Sequence, residues 1–246
     1  MWQIRQLMAK IAKTEEVRKR RSDPEFTDFQ RYVTDMRYIL KALKEKCKVL
    51  DIGAGAGVFS IALAHLGFDV TATNLVIEDR SETNFFWKFG CKFVSLNLDH
   101  QKMPFLDEEF DAVLCLHVVE HLKKPLLALR EMRRVLRLGG KLILMTPNGA
   151  ITSMYKRLSL QPNKSIQNNS HVKEYTLNEL VYMLTVSGFE IRNIGYSNAM
   201  VFAGFSKAHT MKKLIGLGYC LLCNLLPAIS YEIHITAQAK NKNTEV

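Results

Sequence analysis

Little in this chain of 246 residues is suited to export, to a bilayer or to covalent cross-linking. Its five cysteines, at positions 47, 91, 115, 220 and 223, are odd in number and scattered, so they make no disulfide framework and suit a reducing compartment. Met1–Ile11 interrupts its apolar positions with Arg5 and Lys10 and offers no small-residue cleavage site, so no secretory signal is read and a cytoplasmic protein is expected. The apolar run Leu214–Leu226, between Lys212-Lys213 and Pro227, is too short to span a bilayer. Two readings of it stay open: a buried helix inserted before the last strand, or an interfacial segment around 212–229 making peripheral membrane contact. Cys220-Leu221-Leu222-Cys223 has the spacing of a metal or redox pair, but no second pair or clustered histidines complete a zinc set nearby. Core or interface thiols are expected there, and no metal. Internal repeats are absent.

What is present is ordinary globular composition, 48% hydrophobic and 24% charged, which argues against wholesale disorder and against a many-span membrane protein. The formal net charge of +10 attracts nucleic acid, phosphorylated substrates or anionic membrane surfaces alike and selects none of them. Part of it is the run Arg18-Lys19-Arg20-Arg21, open to reading as a solvated helix end or as a contact for an acidic partner.

Residues 1–46 read as a helical leader. Trp2, Leu7, Met8 and Ile11 share one face, Ser22-Asp23-Pro24 breaks the chain, and a second amphipathic helix is predicted from Phe26 to Leu43. From residue 47 to 239 short apolar runs alternate with helix-period segments, the pattern of a doubly wound α/β domain on a mostly parallel sheet. The strands predicted are Val49–Ile52, Asp69–Thr73, Phe93–Leu96, Ala112–Leu116, Lys141–Met145, Phe189–Ile194 and an alternating stretch over Tyr231–Gln238, seven in all. Pro125 opens a helix with Leu126, Leu129, Val135 and Leu136 on one side and Arg130, Arg133 and Arg134 largely on another, and Gly139-Gly140 is expected to end it. Thr176 and Glu179 are spaced as a capping box for a helix closed by Gly188. The polar stretch Ser159–Ser170 reads as a loop able to cover a site, residues 198–229 as an apolar helical insertion, and 240–246 as a disordered tail.

The strongest local signal is Val49-Leu50-Asp51-Ile52-Gly53-Ala54-Gly55-Ala56-Gly57, a buried strand breaking into a glycine turn that opens the helix Val58–Leu66. Such a turn brings a nucleotide-like ligand directly against the backbone. A dinucleotide site is the obvious competitor, but its glycines fall as G-x-G-x-x-G rather than G-x-G-x-G, and Asp51 beside the turn would repel a pyrophosphate.

The chain here resembles the class I S-adenosylmethionine-dependent methyltransferases, whose first motif is an acid followed by x-G-x-G-x-G. Three more segments carry the likeness: Asp99–Asp111 (DHQKMPFLDEEFD), His117–Pro125 (HVVEHLKKP) and Leu136–Asn148 (LRLGGKLILMTPN). The resemblance implies a Rossmann-like fold and S-adenosylmethionine as cofactor. It implies that Asp51, Gly53, Ala54, Gly55 and Gly57 line the methionine end, that Leu75 and Leu98 flank the adenine and that Asp99 accepts from its amino group. Asn74 stands where the family has the acid that grips the ribose, so weaker binding is expected, with Asn74→Asp tightening or preserving affinity.

Methyl transfer needs in-line approach of a nucleophile, and a base is optional, so catalytic residues are hard to read from sequence. His117, just past the fourth strand, is the first candidate for a base or substrate-orienting group, with a pocket-lining role as the alternative. His121 reads as a helix-start residue. His171, in His171-Val172-Lys173-Glu174-Tyr175, resembles a segment facing the acceptor in glycan, lipid-linked sugar and quinone methyltransferases; the alternative is that the segment simply positions the following helix. O-methylation of a small-molecule, glycan or lipid-linked acceptor is the expectation. N- or C-methylation, and a silent methyltransferase fold acting as a binding protein, stay open. Nucleic-acid methylation is disfavoured because Thr146-Pro147-Asn148 lacks the aromatic N-P-P-Y type of pocket.

Overall fold

The structure, a computed structural model, describes residues 2–20, 29–43, 45–75, 80–100, 102–157, 171–197, 222–223 and 225–240. The break at 22–24, the polar stretch 159–170, Cys220, most of the insertion 198–229 and the tail after 240 lie outside the described residues.

Seven strands form one sheet: β1 Lys48–Ile52, β2 Asp69–Asn74, β3 Lys92–Ser95, β4 Phe110–Leu116, β5 Leu136–Pro147, β6 Phe189–Ser197 and β7 Glu232–Ala239. Their order is β3-β2-β1-β4-β5-β7-β6. β1 pairs in parallel with both β2 and β4, and β7 runs antiparallel between β5 and β6. The chain therefore winds outward from β1 in one direction through β2 and in the other through β4. That reversal opens a crevice at the carboxyl ends of β1 and β4, where ligands bind in open α/β sheets.

The helices are α1 Trp2–Lys13, α2 Glu15–Arg20, α3 Phe29–Leu43, α4 Val58–His65, α5 Arg80–Lys88, α6 Pro125–Val135, α7 Gly149–Arg157 and α8 Leu177–Val186. One apolar layer joins α6 and α8, through Leu129, Met132, Leu180 and Leu184, to Leu50, Val113, Leu142 and Ile233 of the sheet. The opposite layer joins the leader residues Met8, Val33, Met36 and Ile39 to α4 and α5 and to Val49, Val70, Leu114 and Met145. The leader thus packs into one of the two core layers and is not an appendage. Each such aliphatic side chain contributes about 1.5–3 kcal/mol when fully buried, so removing α1 to α3 would bare one face of the central strands.

Several expectations change. Trp2 does not share the buried face of Met8 and Ile11 and is 70% exposed. α6 ends at Val135, not at Gly139-Gly140. Leu136 is already extended and paired with Phe110, and the register shift between Phe110 and Ala112 absorbs the glycines inside β5. Burial of Leu136 in the core and strand pairing override the helix-stop signal. Arg133 and Arg134 are not solvated either. Arg133 is buried, and Arg134 donates to Glu131, to Asp107 and to the carbonyls of Met103 and Phe105, tying the segment before β4 to α6. The capping box at Thr176 and Glu179 is formed in both directions, as its spacing predicts.

The last strand departs most from a surface pattern. Ile233, Ile235 and Ala237 face one core layer, yet Glu232, His234 and Thr236 on the other side are buried as well. Their polar face meets α3: the Tyr38 ring packs edge-on against His234 at 5.0 Å, and its hydroxyl bonds Thr236 and Asn193 at 3.1 Å each.

Candidate active site

The glycine turn leaves the tip of β1 and enters α4 at Gly57, with φ +65 at Gly53, +57 at Gly55 and +78 at Gly57. Two of these positions also require the missing side chain. A Cβ on Gly53 would stand 2.6 Å from a methyl of Val118, and one on Gly57 would stand 2.8 Å from the buried Phe86 ring. The turn is pinned to β2 by Ala54 N–H bonded to the Thr73 carbonyl at 2.9 Å. Asn74 extends the clasp, its side-chain oxygen accepting from Gly55 N–H at 2.7 Å and its amide donating to the Gly55 carbonyl at 3.0 Å.

This turn forms one wall of a cavity of about 380 Å³, within the range of small-ligand sites. Asp51, Gly53, Ala54, Gly55, Ala56, Val58 and Phe59 line it from β1, the turn and α4; Leu116 and His117 at the tip of β4, with Arg31 and Tyr32 of α3, complete the lining, and Tyr32 packs edge-on against Phe59 at 5.7 Å. Asp51 is buried, and burial pushes its carboxyl up to about 7 against the hydrogen bond it accepts from Ser60 Oγ at 2.5 Å. A carboxyl so placed gains an acidic form readily and would ionise beside a cationic ligand. S-adenosylmethionine fits these residues: a side-chain-free backbone cradle for the nucleoside amino acid, with a carboxyl for its cationic methionine end.

His117 adopts φ +55, a left-handed conformation uncommon for such a residue, held by its N–H bonded to the Met145 carbonyl at 2.8 Å. Strain of this kind persists where the surroundings impose it and marks functional positions. Carboxylates flank both edges of the ring: Glu120 lies 3.6 Å from Nδ1 and Glu232 3.4 Å from Nε2. Burial opposes the imidazolium, and so does Arg31, but the two carboxylates outweigh them and raise the His117 pKa. Glu120 is itself fixed by the Thr146 hydroxyl at 3.0 Å, and His117 holds its carboxyl below the usual range despite burial.

Beyond Glu232 the polar cluster continues to His234 and to Asp35 of α3, with His234 Nε2 3.7 Å from Asp35 and 3.9 Å from Glu232. Burial, and then the field of Glu232, raise the Asp35 carboxyl to about 6. Glu232 is also desolvated, but His234 and His117 hold its carboxyl low.

Of the residues singled out in the sequence, Asp51, Gly53, Ala54, Gly55 and His117 line one cavity, and Gly57 shapes its wall. Asn74 touches the turn but spends its amide on Gly55, so replacing it with Asp would set a carboxylate oxygen against the Gly55 carbonyl. Leu75 and Leu98 do not line the described cavity, and Leu75 is 72% exposed. Asp99 also lies outside it, capping the approach to α6 by accepting from Lys123 and Lys124 N–H. His121 ends a 3₁₀ turn, Val119–His121, rather than starting a helix. His171 bonds Glu174 at 2.9 Å and packs edge-on against His121, and Val172 and Lys173 donate to the Glu120 carbonyl. It reaches the cavity only through Glu120. Arg31, Tyr32, Asp35, Glu120, Glu232 and His234 were not readable as site residues. The one available signal was the Glu-His-Thr alternation on a strand whose other face is apolar.

Comparison with known proteins agrees with this geometry. A family described as "Methyltransferase domain" matches residues 50–144. A ubiquinone biosynthesis O-methyltransferase of Xanthomonas oryzae pv. oryzae is 35% identical over 107 residues, covering 41% of this chain and 43% of its own, so the match spans less than half of that relative. An uncharacterized protein of Methanocaldococcus jannaschii is 30% identical over 164 residues, 65% of this chain and 60% of its own. The solved structure of Burkholderia thailandensis 1,6-didemethyltoxoflavin-N1-methyltransferase, with bound 1,6-didemethyltoxoflavin and S-adenosylhomocysteine, superimposes with a TM-score of 0.57 at 16% identity, covering 85% of this chain and 78% of its own. With the glycine turn and the reversal point between β1 and β4, the match over residues 50–144 makes this part of the chain similar to the methyltransferase-domain family, on a fold shared with solved S-adenosylmethionine-dependent methyltransferases.

Proposed function

We propose that this protein methylates a hydroxyl oxygen of a small-molecule, glycan or lipid-linked acceptor, with His117 taking the hydroxyl proton. When bound, S-adenosylmethionine supplies the methyl group as an electrophile. The chain's own residues do the rest. Backbone at Gly53–Gly57 seats the nucleoside amino acid without steric cost, and Asp51 offers a carboxyl to its cationic end. His117 stands at the opposite wall, between glycine turn and α3, where an acceptor entering past Arg31 and Tyr32 would meet it.

The observation that carries the proposal is the pair of buried carboxylates at the two edges of the His117 ring. The neutral His117 ring is the form that takes the proton, and Glu120 and Glu232 raise its basicity and stabilise the imidazolium it becomes. The kcat should therefore rise with pH as that neutral form is populated. The O-methyltransferase named among the relatives supports an oxygen acceptor.

The experiment is binding of S-adenosylhomocysteine by calorimetry followed by turnover of labelled S-adenosylmethionine over phenolic and sugar hydroxyl acceptors. Affinity for S-adenosylmethionine itself should tighten with rising pH through about 7, where the Asp51 carboxyl ionises, and Asp51→Asn should flatten that profile. His117→Asn, a residue that tolerates positive φ, should lower kcat by about 10²–10⁴ while leaving S-adenosylhomocysteine affinity nearly unchanged. Unchanged kcat in that variant removes His117 as the base, and absence of any S-adenosylhomocysteine binding ends the assignment.

A further inference from the structure

We infer a second site in the same fold, a divalent transition-metal site formed by Asp35, Glu232 and His234. Asp35 comes from α3 and the other two from alternate positions of β7, so the site bridges the leader to the last strand. All three side chains are at most 2% exposed. Their candidate donor atoms lie within 4.8 Å of one another.

The spacing separates a metal site from a plain ion-pair network. An imidazolium paired with a carboxylate places nitrogen and oxygen about 2.7–2.9 Å apart. Here His234 Nε2 stands 3.7 Å from Asp35 and 3.9 Å from Glu232, beyond hydrogen bonding to either. Two donors at about 2.1 Å from one tetrahedral ion stand about 3.4 Å apart, so His234 sits a few tenths of an ångström from sharing an ion with either carboxylate, and all three donors lie within 4.8 Å of one another.

A second observation comes from groups left without partners. Both Asp35 oxygens and His234 Nε2 are buried and accept or donate no hydrogen bond, while the unbonded Glu232 Oε1 faces His117 and Oε2 faces His234. Buried charges are normally paired or bound to metal. Glu232 Oε2 is fixed by Ser197 at 2.8 Å, and Tyr38 packs edge-on against the His234 ring, so two of the three ligands are oriented from outside the cluster. Ligands of a metal are usually held in this way.

Charge points in the same direction. Two carboxylates on one neutral imidazole carry a net charge of −2, which a divalent cation cancels. Arg31, one turn before Asp35, acts favourably on both carboxylates, yet both Asp35 oxygens stay without a hydrogen bond. One imidazole with two carboxylates suits zinc, manganese or iron(II) better than magnesium, which prefers oxygen alone. His117, 3.4 Å from Glu232, separates this site from the cavity, so an ion there would anchor the carboxylate that orients the proposed base. That role rests on the proposed methyl transfer, whereas the binding does not.

The test uses the full chain stripped with chelator, with no S-adenosylmethionine present. Equilibrium dialysis against Zn²⁺ should give one ion per chain at micromolar or tighter affinity, together with a raised Tm. Glu232→Gln and His234→Gln should each weaken that binding more than tenfold. Should either variant fold poorly, Co²⁺ added to the unaltered protein gives an independent reading. Visible ligand-field bands without thiolate-to-metal charge transfer support the site. A thiolate band places the ion on cysteine and overturns it, as does retention of no ion, or variants that bind as the unaltered protein does. Loss of S-adenosylhomocysteine binding with zinc retained would count against the methyltransferase reading and leave this site standing.

Discussion

Two walls of one cavity are built on opposite plans. The glycine wall is backbone: residues 53–57 and their partners Thr73 and Asn74 lie within one βαβ unit and bond mainly through main-chain groups. The facing wall and what lies behind it are side chains: Arg31, Asp35, His117, Glu120, Glu232 and His234 come from α3, from the tip of β4 and the turn after it, and from β7, across some 200 positions of the chain. Backbone cradles tolerate almost any ligand of the right shape, because they exclude side chains rather than present them. A side-chain constellation sets charge and chemistry. The first wall therefore fits a cofactor shared by a whole family, and the second is where the proposed acceptor would be selected.

The largest expected effect separates crowding from backbone strain within the glycine wall. Alanine at either Gly55 or Gly57 must adopt positive φ, at about 1–2 kcal/mol each. At Gly55 the added Cβ meets only the Gly53 carbonyl oxygen at an ordinary 4.0 Å, whereas at Gly57 it meets Phe86 at 2.8 Å, Ile61 at 3.2 Å and Phe85 at 3.3 Å. Overpacking adds about 1–3 kcal/mol. Gly57→Ala should thus lose about 3 kcal/mol in a denaturant titration, about twice the loss in Gly55→Ala. Equal losses would mean that the aromatic pair yields freely and that the turn is specified by φ alone.

Asn74→Asp should have a smaller effect, with a sign opposite to that expected from family likeness. The amide closes on Gly55 from both sides and also reaches Glu82, so the acid loses two hydrogen bonds and sets a carboxylate oxygen against the Gly55 carbonyl at 3.0 Å and the Glu82 carboxylate at 3.5 Å. A cost of about 1–2 kcal/mol amounts to roughly five- to thirtyfold weaker S-adenosylhomocysteine binding by calorimetry, because the turn must be intact to bind. Tighter binding would show instead that the side chain swings out to the ribose and that the Gly55 clasp is dispensable.

This contrast also governs how much was legible in the sequence. The seven strand positions followed from alternating β and α patterns, and the places of the glycine turn, of Asp51 at the end of β1 and of the Thr176 capping box were legible because each is decided by neighbours a few residues away. Leu136 was read as part of a helix ending at Gly139-Gly140 because its strand pairing with Phe110 is tertiary. Glu232 and His234 looked like one polar face of an edge strand. Only the docking of α3 on β7, which brings Asp35 and Tyr38 against them, makes that face interior. No local pattern encodes which helix will cover a strand.

The smallest effect probes the seam between leader and last strand directly. Tyr38 holds it through a hydroxyl shared with Thr236 and Asn193 and through the ring edge against His234. Tyr38→Phe keeps the ring and removes the hydroxyl, for a loss of about 1 kcal/mol, or a Tm lower by about 2–4 °C in a chain of this size. S-adenosylhomocysteine affinity should not change, since the glycine wall takes nothing from this hydroxyl. Zinc affinity should fall only slightly, because the ring that orients His234 stays in place. A large fall in cofactor affinity would couple the two walls through α3, whose Arg31 and Tyr32 reach the cavity from the same helix, and would make the leader part of the cofactor site rather than its cover.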